Sequence, residues 1–239
     1  MKRFAKILFP LLSSFIFLGC QDCITGEGKP IKETRTVESF DQLDLSSSLD
    51  VSLIQVTNLS AHKVILQAQE NVLPHLICEV DNGKLEIGIA GCTIDAKDLE
   101  AATFFSELTN INTSGSGNIN SENPIFCKRL TIESEGSGNV NFDFIGDMLV
   151  INTNGSGDFK IKGKCKDLLL TSNGSGKIDL IDLSSDRIKI ESNGSGNIST
   201  WAVRKANLEL NGSGDVSLKG DPQDLQQKRN GSGKIKRID

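Results

Sequence analysis

The serines of the tripeptide Gly-Ser-Gly are the most regularly spaced residues of this 239-residue chain that could act as nucleophiles. The tripeptide occurs seven times, at successive intervals of 21, 19, 19, 20, 18 and 19 residues. A serine nucleophile needs a single hydroxyl beside a general base. His62 and His75 both lie outside the repeats and away from any Gly-x-Ser-x-Gly motif. The recurring serines are therefore predicted to be structural.

Aspartates could serve as catalytic acids or as calcium ligands. Asp158, Asp179 and Asp215 fall at outward positions of different repeats, but no position holds acids in consecutive repeats beyond chance, as a lateral catalytic cluster would require. The residue after the tripeptide is a lysine in two of the seven repeats, which argues against a calcium ladder. The sequence predicts no catalytic residue, no cofactor and no bound metal.

Six cysteines are present, and Cys20 differs from the others in its context. It follows Phe17-Leu18-Gly19 at the end of an apolar segment and looks like the acceptor of a bacterial lipobox. The alternative is a conventional signal that leaves Cys20 as an ordinary thiol. The five remaining cysteines are an odd number, so at least one stays free or pairs between chains. Their spacing fits no zinc site.

Cys78 and Cys92 are the predicted disulfide candidates because they flank an Asn82-Gly83 hairpin signal. That hairpin sets Cys78 opposite Ile87, so the bridge would need an offset or a folded-back segment.

Cys127 and Cys165 both lie nine residues before a tripeptide, with Gly146 at that position in the repeat between them. Stacked repeats would separate their Cα atoms by about 9.6 Å. A disulfide needs about 4.4 to 6.8 Å, so no bridge between them is expected.

The residues around each tripeptide alternate between apolar or small and polar, which is the period-2 pattern of strands with one buried face. A fixed period near twenty residues is typical of stacked repeats. The chain is predicted to be all-β, a right-handed parallel β-helix-like solenoid of about seven rungs of about 19 residues. The alternative is a series of antiparallel hairpins, because asparagine precedes five of the seven tripeptides and Asn-Gly favours two-residue turns.

The tripeptide glycines are predicted to form the corner of each rung, where glycine permits positive φ and a close approach of backbones. The structural glycines are Gly115, Gly117, Gly136, Gly138, Gly155, Gly157, Gly174, Gly176, Gly194, Gly196, Gly212, Gly214, Gly231 and Gly233.

The rest of the chain divides by composition. Residues 1–19 are predicted to be a lipoprotein signal peptide and residues 20–36 a polar tether. Residues 37–239 form the predicted single domain: a β-rich part at 37–108, the repeats at 109–222 and a C-terminal cap at 223–239. Residues 95–106 are the one run of helix formers that could compete with a strand. Without the signal peptide the chain carries 23 Lys and Arg against 31 Asp and Glu, a net charge of −8 that excludes a nucleic-acid partner.

The repeated Ser/Asn-Gly-Ser-Gly-x-Ile/Val pattern, together with Phe40-Asp41-Gln42-Leu43-Asp44-Leu45 and Glu70-Asn71-Val72-Leu73, resembles the head GIN domain family, also described as auto-transporter adhesins. The likeness covers roughly residues 37 to 239. It implies a β-rich, solenoid-like cell-envelope protein of Gram-negative bacteria with no established activity.

These observations lead to one expected function and two alternatives. We expect a non-catalytic envelope protein, held in the membrane by a lipid on Cys20, that binds an unknown protein or glycan through the side of the solenoid. Gln21 after the lipid acceptor favours the outer membrane. The alternatives are a carbohydrate-active β-helix enzyme and a passive structural or assembly component of the envelope.

Overall fold

The computed structural model describes residues 23–57, 61–94 and 96–238. The predicted signal peptide and Cys20 lie outside these residues. Within them the chain is all-β, as predicted, with one short 3-10 helix at Leu73–His75. The N-terminal strands are β1 (Ile24–Thr25), β2 (Pro30–Thr36), β3 (Gln42–Leu45), β4 (Asp50–Gln55), β5 (Lys63–Gln69), β6 (Leu76–Asp81), β7 (Lys84–Ile89), β8 (Thr93–Ile94) and β9 (Glu100–Phe105).

The repeats supply the remaining strands. They are β10 (Asn110–Thr113), β11 (Ile119–Ser121), β12 (Ile125–Ser134), β13 (Val140–Thr153), β14 (Phe159–Ser172), β15 (Ile178–Ser192), β16 (Ile198–Leu210), β17 (Val216–Lys219), β18 (Asp224–Arg229) and β19 (Ile235–Ile238).

The repeats stack as a parallel β-solenoid with one rung per repeat. Val140 of β13 pairs with Phe159 of β14, and Phe159 pairs with Ile178 of β15, each one repeat further along the chain. Equivalent residues therefore form columns, and the inward columns make one continuous apolar core. The antiparallel hairpin alternative is wrong for the repeats, because every pairing between them is parallel.

Each long strand bends midway between two tripeptides. In β13, Phe144 and Leu149 are both buried although they lie five residues apart, so the alternation of inward and outward side chains restarts between them. The coil thus has two corners. We call the one formed by Gly-Ser-Gly the tripeptide corner, and the one formed by residues 126–129, 145–148, 164–167, 184–187, 201–204 and 219–223 the opposite corner.

An additional rung precedes the first tripeptide. β3 pairs with β10 and β4 pairs with β11, both in parallel. The turn between β3 and β4 is Ser46-Ser47-Ser48, and Ser47 occupies the place that glycine takes in later rungs. This rung belongs to the predicted irregular part and lacks the glycine signal that marks the others.

Antiparallel strands close the N-terminal end. β6 and β7 form the predicted hairpin, with Asn82 at φ 50° and Gly83 at φ 77°, as a type I′ turn requires. β5 pairs antiparallel with both β9 and β2. β9 occupies half of the predicted helix-forming run, because the side chains of one face of the strand pack into the core beside β4.

Two N-terminal predictions are wrong. The expected tether at 20–36 is folded from Cys23 onwards, because β1 pairs with β8 and β2 pairs with β5. The disulfide joins Cys23 to Cys92 rather than Cys78 to Cys92. The backbone N–H of Ile24 donates to the Cys92 carbonyl at 2.8 Å, which holds Cys23 beside Cys92, whereas Cys78 is buried in the hairpin opposite Ile87.

The predicted cap at 223–239 consists of the strands of a last rung. β18 pairs with β16 and β19 pairs with β17, and among the described residues no strand pairs with their other edges. The inward positions that are apolar or small earlier in the stack hold Gln227 and Arg229 here, and both are exposed. Charged and polar side chains on such an edge discourage pairing with another chain.

Candidate binding surfaces

The tripeptide corner is a column of backbones in direct contact. A Cβ placed on Gly136, Gly155 or Gly174 would lie 1.8 to 1.9 Å from the carbonyl oxygen of the glycine one rung earlier. None of the fourteen tripeptide glycines has a positive φ. Close approach alone explains the glycines, and the expected need for positive φ was wrong.

Asparagine side chains run along this corner as an amide ladder. The Nδ2 atom of each asparagine before a tripeptide donates to the Oδ1 atom of the one before it, from Asn173 onto Asn154 at 2.7 Å through Asn230 onto Asn211 at 2.7 Å. The intermediate bonds, at Asn193 and Asn211, measure 2.8 and 2.7 Å. These side chains therefore join rungs, instead of forming the hairpin turns of the alternative interpretation.

The residue after each tripeptide has a related role. Asn139 accepts the backbone N–H of Asp158 at 2.9 Å, and Asp158 accepts that of Lys177 at 2.7 Å. Asp215 accepts the backbone N–H of Lys234 at 2.9 Å, and a hydrogen bond from the Lys236 ammonium lowers its pKa. In this column, side-chain oxygens that accept backbone N–H groups are interrupted by lysines. Such a column is poorly suited to binding calcium.

No described group activates the recurring serines. Ser156 and Ser175 contact each other at 3.1 Å on an exposed surface, in an open trough of about 500 Å³ lined by asparagine, glycine and serine. His62 packs edge-on against Phe40 with ring centroids 5.5 Å apart, and His75 is exposed in the 3-10 helix. The histidines and the serine column are thus not brought together.

The remaining candidate residues are also separated. Asp179 forms an ion pair with Lys177 at 3.3 Å. Cys127 and Cys165 stand in one column with Gly146 between them, and both are free thiols. This register was predicted, and it places the two sulfurs two rungs apart. Among the residues that the structure describes, no group of three His, Cys, Asp or Glu side chains is placed to hold a metal ion.

Sequence reasoning missed a pocket with a volume of about 660 Å³. It lies at the opposite corner near the C-terminal end, beside Trp201, the only tryptophan of the chain. The Nζ atom of Lys219 lies 4.3 Å from the centre of an indole ring of Trp201. The register of the repeats could have indicated this pocket, because Trp201, Lys219 and Ile238 occupy one position in successive rungs.

The fold and these surfaces define a class of protein: an all-β solenoid whose repeated polar residues hold its rungs together. The family model described as "Putative auto-transporter adhesin, head GIN domain" matches residues 39–222, and the chain belongs to this family. None of the curated protein sequences matches it. In the described part of the chain, no helix is both long and apolar enough to cross a membrane.

Solved structures share the fold. A structure named as a putative adhesin of Bacteroides fragilis has a TM-score of 0.86 and 25% identity, and the match covers 90% of this chain and 100% of that one. One named as a putative lipid binding protein of Parabacteroides distasonis has a TM-score of 0.74 and 24% identity, with 91% and 100% covered. A putative adhesin of Parabacteroides merdae has a TM-score of 0.67 and 21% identity, with 91% and 100% covered. None of these names describes an enzyme.

Proposed function

We propose that the chain is a non-catalytic, lipid-anchored protein of the cell envelope that binds an extended protein or glycan through the side of its solenoid. The observation that carries this proposal is the distribution of exposed apolar side chains. Of the six large apolar residues that are exposed in the described part, three lie at the opposite corner and a fourth pairs with Lys219 of that corner. They are Phe126 (56% exposed), Ile145 (44%), Val203 (43%) and Ile238 (39%).

These residues follow one another along the stack. Phe126 and Ile145 pair in adjacent rungs. The same column continues through Lys164 and Ser184 to Trp201, and through Lys219 to Ile238, so polar residues divide its apolar members into two groups. Six rung steps of about 4.8 Å make a strip of roughly 29 Å. We call Phe126, Ile145, Trp201, Val203 and Ile238 the apolar strip. Scattered exposed apolar residues are ordinary, whereas an aligned set is typical of an interaction surface.

The geometry supports binding rather than catalysis. Glycoside hydrolysis uses two carboxyl groups across the scissile bond. Asp158, Asp179 and Asp215, which were considered for that role, lie near the tripeptide corner and are engaged with backbone N–H groups or lysines. The family description and the names of the structural neighbours fit the same interpretation. No specific observation favours the enzyme alternative.

The disulfide supports an anchor that holds the solenoid by its N-terminal end. If Cys20 carries a lipid, only three peptide steps separate it from Cys23, which is bonded to Cys92. Three steps reach at most about 11 Å. The described fold then begins close to the membrane, and the strip extends away from it. Gln21 favours the outer membrane in this proposal.

Two measurements test the proposal. For the anchor, cells making the wild type or Cys20→Ser are labelled with a fatty acid and fractionated. We expect label on the wild type in membranes, and an unlabelled, soluble variant. An unlabelled wild type would show that the chain is not a lipoprotein.

For binding, beads that carry the mature chain by its N-terminus are passed over a glycan array and over protein-coated surfaces. We expect retention that is lost in the double variant Phe126→Ser, Ile145→Ser. Ser137→Thr, which changes an exposed residue of the tripeptide corner, is the matched control and should be retained. Equal retention of both variants, or no retention of the wild type, would contradict binding by the strip.

A further inference from the structure

The pocket at the end of the apolar strip is a built site. Gly220 has φ 93°, and a Cβ on it would lie 2.3 Å from the Ala202 carbonyl oxygen and 3.1 Å from Cδ1 of Trp201. A glycine is thus needed for the backbone to pack against the edge of the indole. The volume of about 660 Å³ lies within the range of small-ligand sites, roughly 300 to 1,000 Å³.

The polar groups of this pocket have a definite charge pattern. Arg237 pairs with Asp221 and also donates to the Gly220 carbonyl oxygen at 3.4 Å. Lys219 contacts the indole of Trp201 and has no carboxylate partner among the described residues. A guanidinium has five N–H donors, so most donors of Arg237 stay available. The described residues that line the pocket therefore offer an aromatic surface, one carboxylate acceptor, two cations and together a net charge of +1.

We infer that this pocket binds a pyranose ring that carries a carboxylate, as in a uronic acid. The C–H groups of such a ring can pack on the indole of Trp201 once the Lys219 ammonium, which lies 4.3 Å from the centre of an indole ring, turns towards the ligand. Its carboxylate can pair with Lys219, while the Asp221 and Arg237 pair hydrogen-bonds its hydroxyls. A neutral sugar would leave the charge of Lys219 unpaired, and a free phosphate would not use the aromatic surface.

Binding without cleavage follows from the same residues. Among the described residues, Asp221 is the only acidic one that lines the pocket, and it is already paired with Arg237. A glycosidase would need a second carboxyl group across the ring.

The location of the pocket agrees with adhesion, and this step rests on the proposed function. One stack of strands runs β6, β7, β3, β10, β12, β13, β14, β15, β16 and β18. Nine steps of about 4.8 Å place its last strand roughly 43 Å from its first. The pocket lies at the end of the stack that is far from Cys23, so it would face outward from an anchored solenoid.

The single tryptophan makes its own fluorescence a reporter of this site. The mature chain with Cys20→Ser is titrated with trigalacturonate, with the neutral trisaccharide of galactose and with inorganic phosphate. We expect a saturable change in emission with trigalacturonate only. An equal response to the neutral sugar, or to phosphate, would overturn the assignment to an acidic sugar.

Variants then test the individual residues by calorimetry, which needs no fluorophore. Trp201→Ala should weaken trigalacturonate binding by about thirtyfold, as expected for a buried aromatic anchor. Lys219→Met should abolish the preference for the acidic over the neutral sugar while circular dichroism stays unchanged. Leu169→Ala, which changes an exposed apolar residue outside the strip and the pocket, is the matched control and should bind like the wild type.

The outcomes separate the two proposals. No trigalacturonate binding together with strip-dependent bead retention would refute the sugar site and leave the proposed function intact. Trigalacturonate binding by soluble chains, together with an unlabelled Cys20, would support the site and refute the anchor. Binding that Trp201→Ala and Lys219→Met leave unchanged would place the sugar elsewhere and refute the site.

Discussion

Replacing one tripeptide glycine tests whether the contact between rungs requires glycine. In Gly194→Ala the new Cβ would lie 1.8 Å from the Gly174 carbonyl oxygen. That oxygen accepts the backbone N–H groups of Ser195 at 3.2 Å and of Gly196 at 3.4 Å. Relief of the clash requires the two rungs to separate by more than an ångström, which weakens both hydrogen bonds. With about 1 kcal/mol for each bond and about 1 kcal/mol of overpacking strain, the variant should lose roughly 3 kcal/mol.

The assay is unfolding by heat and by urea, followed by far-ultraviolet circular dichroism. A loss of roughly 3 kcal/mol corresponds to about 6 to 12 °C in a domain of this size. The matched control is Ser195→Ala in the same tripeptide, whose side chain is exposed, and it should stay within about 0.5 kcal/mol of the wild type. If Gly194→Ala unfolded at the same midpoint as Ser195→Ala, the rungs would not touch as described.

Three further predictions concern other parts of the stack. Non-reducing peptide mapping should recover Cys23 bonded to Cys92, and any other stoichiometric bridge would contradict the N-terminal pairing. Burial raises the pKa of the Cys165 thiol from 9.0 to about 11, so its alkylation in the folded chain should be slow at pH 8 and accelerate towards pH 11. The Cys165 thiol ionises at lower pH in the unfolded chain than in the folded one. The stability that it contributes is therefore present below pH 9 and should be lost as pH rises through 11. An alkylation rate and a free energy of unfolding that do not change over this range would argue against burial of the thiol. Asn211→Asp removes the donor that joins its amide to the rung below and should cost about 1 kcal/mol in urea unfolding, whereas the control Asn207→Asp, outside the ladder, should cost less.

The repeat could be predicted from the sequence because contact between backbones restricts one position to one residue type. Every rung from Gly115 to Gly231 carries that restriction, so the tripeptides mark the stack directly. The same reasoning missed the rung at β3 and β4. Ser47 is at the end of the glycine column, where its carbonyl oxygen meets Gly115 and its hydroxyl accepts the backbone N–H of Leu49 at 3.3 Å. A glycine is not required there, and no signal remains in the sequence.

The N-terminal errors have a different cause. Polar residues in Pro30–Thr36 look like a tether because all seven side chains in β2 are exposed or only partly buried, with no apolar alternation. The strand is held instead by backbone hydrogen bonds to β5 and by Arg35, which donates to the carbonyl oxygens of Leu73 and Leu76 at 3.0 and 2.7 Å. Neither kind of bond leaves a periodic pattern. The disulfide of Cys23 depends on the folding of that segment, so it could not be predicted while the segment was interpreted as a tether.

Because the two corners keep a constant register, the length of the solenoid is set by the number of its rungs. Intervals of 18 to 21 residues all return the chain to the same glycine column. Among β14, β15 and β16 the difference in length is absorbed by bulges that lie just before the opposite corner or within it. Duplication or loss of one repeat would therefore raise or lower the Trp201 pocket by about 4.8 Å without altering either end. Under the proposed function, a change in the number of repeats would change the distance between the membrane and the bound sugar in steps of this size.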